Sequence, residues 1–207
     1  MIYDGADKAI RQMNRANLKA FNLLKLAKWD EISVIRAVGK TYDDSTALAK
    51  QKYLEIASEA YVVALYKAKI APERATRMGR DAIDRDWVLD MLEEADPVTL
   101  YIFMDEMERK KQRLIEALSV AHDRNREIDK ALRYWTAQVG QYADNSVYWA
   151  RLQAFRDAGF ERVRWVTMED NRVCRDCDDL DGRIFRIDEV PPPQHFNCRC
   201  YLVPVLD

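Results

Sequence analysis

The sequence predicts an α+β chain: a mainly α-helical N-terminal body of long helices, followed by a small β-rich C-terminal module. Three observations carry this. Up to Phe160 the only prolines are Pro72 and Pro97, and the glycines are Gly5, Gly39, Gly79, Gly140 and Gly159, so little interrupts helical stretches. Apolar residues recur at helical spacing before residue 160 and at a two-residue period just after it. The remaining four of the six prolines, and all four cysteines, fall beyond that point.

Taken in order, Ile10, Met13, Phe21 and Leu24 form a first helical stripe, and Leu54, Ala57, Tyr61 and Leu65 a second. Asp43, Asp44 and Ser45 read as a turn between them. Asp96 followed by Pro97 predicts a helix start, since the carboxylate accepts from a free backbone N–H and proline at the first helical position forfeits no hydrogen bond. That helix runs through Leu100, Phe103, Met107, Leu114 and Leu118. Ile128, Leu132, Trp135, Val139 and Tyr142 then alternate at four and three, which places five large groups on one face and predicts that the face closes the core of the body. A further helix is expected from about 145 to 158, ended by Gly159, the residue best suited to the left-handed conformation past a helix terminus. Residues 162–167 alternate as a strand, and Asp181-Gly182 leads into a second short strand through Ile184, Phe185 and Ile187. The expected division is a helical body over 1–160 and a β module over 161–207.

Composition narrows the function. Apolar residues at 48% against 33% charged are the balance of a globular protein, and the apolar run 98–104, flanked by Asp96 and Asp105, is far shorter than the roughly 20 residues that span a bilayer. No membrane span is expected. The start MIYDGADK lacks the basic, apolar and small-residue parts of a secretory signal, so a reducing compartment is the expectation. A net charge of −2 argues against bulk nucleic-acid binding, and residues 143–207 hold nine basic and twelve acidic side chains. The arginines around the cysteines are interleaved with carboxylates and read as a solvated, self-paired face.

The chemistry sits in one constellation: Cys174-x-x-Cys177, seventeen residues, then His195-x-x-Cys198-x-Cys200. Thiolate and imidazole are the ligands that borderline-soft zinc prefers, and a two-residue gap lets both sulfurs of a tight knuckle reach one ion at about 2.3 Å. The module therefore reads as zinc-knuckle-like, with one structural zinc per chain. Five candidates compete for four tetrahedral positions. The first pair and His195 are expected as ligands; Cys198 and Cys200 would point to opposite faces of a single strand, so the choice between them is open. A closed four-ligand site leaves no position for substrate and favours a structural metal, and metal binding of about 10–16 kcal/mol would then be folding energy. Two disulfides would require an oxidising compartment and would leave His195 unexplained. No catalytic residue is assigned, because no orienting or oxyanion-hole motif accompanies the cysteines. Asp170 and Asp181 read as turn residues that orient the knuckle, and His122 as a surface or capping residue.

The order of these features resembles the C-terminal domain of the phage Mu F-like minor capsid, or head morphogenesis, proteins. The features are a helix ending in Ala158-Gly159, the Val163-Arg164-Trp165 strand, Asp170 before Val173-Cys174-x-x-Cys177, the Leu180-Asp181-Gly182 turn and His195-x-Asn197-Cys198-Arg199-Cys200. The similarity covers about residues 143–205. It implies a minor structural protein of a tailed-phage head, associated with the portal vertex, present in several copies with portal and capsid proteins as partners. It also implies assembly in the host cytoplasm and final location inside the virion beside the packaged double-stranded DNA. Two other readings compete: a nucleic-acid-binding zinc module touching that DNA, for which a basic groove would speak, and an enzyme such as a nuclease or transferase, which a closed metal site disfavours.

Overall fold

Two long helices, α2 (Glu31–Lys67) and α6 (Arg124–Asp157), form the spine of the molecule in a computed structural model that describes residues 4–93, 103–195 and 198–206. At 1.5 Å per residue, their 37 and 34 residues make rods of about 55 and 50 Å. Each begins on an aspartate: Asp30 accepts from the Ser33 backbone N–H at 2.9 Å, and Asp123 from that of Arg126 at 3.0 Å. Helix α1 (Asp4–Leu24) packs on both; α3 (Pro72–Ala82), α4 (Arg85–Glu93) and α5 (Phe103–Val120) complete the body. The expected helix start at Asp96-Pro97, and Leu100 after it, lie outside the described residues.

The turn expected at 43–45 does not exist, because α2 runs straight through it. Asp43 and Asp44 are on the solvent side, where Asp44 accepts from the Lys40 ammonium one turn back at 2.7 Å, and Ser45 is buried in the helix interface. Polar residues mark a turn only where the backbone needs an alternative to the helix. The expected break before 145 is also absent, since α6 is continuous to Asp157. Its polar residues find partners inside the helix. Gln141 donates to the Asn145 side chain at 3.1 Å, and the Ser146 hydroxyl to the Tyr142 carbonyl at 2.7 Å. Gly159, at φ +82°, then ends the helix as expected.

Burial divides along the spine. The first cluster joins α1, the N-terminal half of α2, α4, α5 and the N-terminal half of α6. It is built on aromatic rings, with Phe103 and Tyr142 centroids 4.7 Å apart edge-on and Tyr42 and Trp135 5.5 Å apart. Four members of the α6 stripe, Ile128, Trp135, Val139 and Tyr142, are buried in it and Leu132 packs at its margin. The second cluster joins the C-terminal halves of α2 and α6 to α3 and to a three-stranded sheet. Helix α3 approaches α2 so closely at Gly79 that a Cβ there would lie 2.7 Å from Val62 Cγ2.

The sheet is antiparallel in the order β2-β1-β3, from β1 (Arg162–Val166), β2 (Ile184–Arg186) and β3 (Tyr201–Pro204). β1 and β2 are each slightly shorter than the sequence suggests, and Ile187 lies past β2. The sequence reading contains no strand at β3, which is only four residues long and ends on a proline. Val163, Trp165 and Leu202 turn inward into the cluster that holds Tyr148, Leu152 and Phe155 of α6. Secondary structure thus changes at residue 160, while the hydrophobic contacts continue across it. Among the described residues no helix is long and apolar enough to cross a membrane.

Candidate metal centre

The first cysteine pair sits on a four-residue helical turn, α7 (Arg175–Asp178). Cys174 takes the cap position, and its Sγ accepts from the Cys177 backbone N–H at 3.4 Å, the geometry by which a two-residue gap folds both sulfurs to one side. The turn is anchored to β1 at its far end. The Gly182 N–H, at φ +72°, donates to the Trp165 carbonyl, and Asp181 accepts from the Thr167 N–H at 2.7 Å. Asp181 thus ties the turn to the end of β1.

The second cluster is brought in by a turn in which the Cys198 N–H donates to the His195 carbonyl at 3.2 Å. Cys198 and Cys200 precede β3 instead of lying in it, so the alternation of a strand does not separate them. Donor atoms of Cys177, Cys198 and Cys200 all lie within 4.8 Å of one another, as do those of Cys174, Cys177 and His195. The buried Cys177 belongs to both sets. The five expected residues thus fall into two sets of three that meet at Cys177, with Cys198 and Cys200 in the same set. Either set of three can hold a metal ion. The Cys177 and Cys198 sulfurs stand 3.7 Å apart, close to the edge of about 3.8 Å that a tetrahedron with 2.3 Å metal–sulfur bonds requires. All four cysteines are free thiols, with no disulfide among them.

Space agrees with the donor set. A cavity of about 20 Å³ touches Cys177, His195 and Cys200, enough for one ion or water and for nothing larger. The thiols perturb one another strongly. Cys198 is held down at about 5 by the hydrogen bond from Cys200, then by backbone donors, while burial pushes Cys177 up to about 12. Cys200 is raised by its bond to Cys198 and by burial. Crowded sulfurs disfavour one another's ionisation, and a cation bound among them would favour it.

Two further contacts hold the halves together. Arg199, between Cys198 and Cys200, donates both guanidinium nitrogens to Asp170 at 2.7 and 2.6 Å, a bidentate clasp across 29 residues. It also holds the Asp170 carboxyl down to about 2. The Tyr148 hydroxyl of α6 donates to the Pro191 carbonyl at 2.6 Å and fixes the proline run that leads to His195. Asp144, one turn earlier, has its carboxyl pushed up to about 7 by burial and then by the Cys198 thiolate. The sequence assigns no role to Arg199, Tyr148 or Asp144; of these four residues it marks only Asp170, as a turn residue beside the knuckle. His122 is exposed in the α5–α6 connection, away from the cluster. Phe196 and Asn197 lie outside the described residues.

Residues 108–203 match the family described as Phage Mu protein F like protein, a span that includes most of α5, all of α6 and the cysteine module. No curated protein and no solved structure matches the chain. The matched span contains the strand, the knuckle, the aspartate turn and the terminal His/Cys turn in one packed unit, and over residues 108–203 the chain is similar to the phage Mu F-like family.

Proposed function

We propose that this chain is a minor structural protein of a tailed-phage head, acting in head morphogenesis, with portal and capsid proteins as its partners. The family match over 108–203 carries the reading. The geometry supports it by what the cysteine cluster resembles: a closed, sulfur-rich site beside a cavity of about 20 Å³, with no space for a substrate. The chain acts by binding and not by catalysis. Its place is the assembling and mature phage head, near packaged DNA.

The ion is zinc, one per chain, held by Cys174, Cys177 and His195 together with Cys198 or Cys200. Zinc accepts four mixed sulfur and nitrogen ligands in a tetrahedron without redox chemistry, and there it serves to fix the fold. Residues 161–207 form a metal-clamped module on the end of the helical body 1–160. Cys174 and Cys177 present thiolates from the capped turn, His195 presents an imidazole nitrogen, and the Asp170–Arg199 clasp keeps the two turns facing each other.

Metal analysis of protein purified without added metal tests the assignment, repeated on Cys174→Ser and His195→Ala. The expected result is one zinc per chain in the wild type and loss in the cysteine variant. Metal-free protein with four freely titratable thiols would sink the zinc claim and leave the family match standing.

A further inference from the structure

The sheet has two faces, and only one of them is used by the fold. Val163, Trp165 and Leu202 point into the cluster with α6, so the intervening residues face outward. The register places Arg162 directly opposite Arg186, Arg164 between Ile184 and Val203, and Val166 opposite Tyr201. This outward face thus presents three arginines among aliphatic side chains, with Arg162, Arg164, Ile184 and Arg186 all exposed.

Two like charges directly opposite each other across an antiparallel pair are unfavourable unless other groups offset them. Arg186 donates twice to Asp188, at 3.3 and 3.1 Å, and stands 3.9 Å from Glu189, so the exposed pair is offset from one side. Arg164, at the centre, has no hydrogen bond or ion pair among the described residues. The face is also not closed at its edge. Val166 and Tyr201 continue into an open cleft of about 510 Å³, where Lys67 and the buried Arg151 stand, the latter over the Tyr201 ring at 5.6 Å, with Glu169 as the acidic group.

We propose that this open sheet face is the docking surface of the chain, and that its occupant is an acidic, partly apolar surface of the portal protein; the identity of that partner rests on the function proposed above. The charge pattern selects the occupant. Planar guanidinium groups bind carboxylates in a bidentate manner, and Ile184, at 47% exposure, together with Val203 offers the apolar contact that a protein surface returns. A phosphodiester backbone would use the arginines and leave the aliphatic positions without purpose. A second copy would set this cationic face against itself.

Binding of the metal-loaded full chain to the purified portal protein of the same phage, and separately to a short double-stranded DNA, tests the surface. The variants are the triple Arg162→Glu, Arg164→Glu, Arg186→Glu, and Ile184→Ser. All four positions are exposed, so zinc content and helical signal are expected to match the wild type. The expected result is portal binding weakened at least tenfold in the triple variant and severalfold in Ile184→Ser. Undiminished portal binding by the triple variant would overturn the surface and leave the capsid reading intact. Arginine-dependent binding to DNA alone, insensitive to Ile184→Ser and steeply salt-dependent, would reassign the face to phosphate. Wild-type protein that binds neither probe would overturn this surface and the proposed partners together.

Discussion

The two ends of the α2–α6 spine are held by different forces. At one end, Phe21, Tyr42, Tyr53, Phe103, Trp135 and Tyr142 pack ring to ring inside a sleeve of helices, and burial of apolar area alone accounts for the order. At the other, a sheet of twelve residues in three short strands buries Val163, Trp165 and Leu202 on α6, and its connections converge on sulfur and nitrogen donors. So few strand residues bury too little surface to order their own long connections. The difference teaches where stability is conditional: the helical end rests on packing, whereas the module adds to its packing a donor cluster that could hold an ion.

Breaking that contrast gives the largest effect. Cys177 is shared by both donor sets, so Cys177→Ser is expected to abolish metal retention and melt the module while leaving the helical end folded. Near-ultraviolet signal from Trp165 would be lost at a temperature where far-ultraviolet helicity persists. A single cooperative transition unchanged from wild type would show that the module does not need the cluster. The converse variant is Trp135→Ala, which opens a cavity in the aromatic cluster; losses of this type are about 3–5 kcal/mol. It should lower the melting temperature of the helical end without altering zinc content, and a drop in both would show that the two ends are one cooperative unit. The smallest effect sharpens the comparison within the module. Asp170→Asn removes the ionised half of the Arg199 clasp but no ligand, so metal is expected to bind at unchanged stoichiometry and to leave about tenfold faster to a chelator, as for other groups that orient metal ligands. An unchanged release rate would reduce the clasp to a surface ion pair.

Some of these features were legible in the residues. The helical stripes at 10–24, 54–65 and 128–142 are buried as their spacing indicates, since a period of 3.6 leaves one face of a helix little choice but to be covered. The change of grammar at Gly159 and the gathering of five donors were also visible, the first because glycine takes a left-handed helix end most readily, the second because metal ligands are a small chemical set. Local polarity misled at Asp43–Ser45 and before Asn145. Both stretches look like turns, yet Asp44, Asn145 and Ser146 each find a partner one turn away, so the helix has no cause to stop. Strand β3 was hidden for the opposite reason, because four residues ending in proline carry no periodic signal, and pairing with β1 alone makes them a strand.

The sequence by itself determined the inventory: long amphipathic helices, a β-rich end, and a set of sulfur and imidazole donors with metal-binding spacing. Those depend on local propensity and on chemical identity, which residue order fixes directly. Only the tertiary structure decided that Cys198 and Cys200 share one donor set with Cys177, that Arg199 reaches Asp170, that Tyr148 of α6 holds the proline run, and that one face of the sheet stays open with its arginines outward. Each of these is a meeting of residues far apart in the chain. Such meetings follow from the direction in which turns and strands aim their side chains, and spacing along the sequence does not encode that direction.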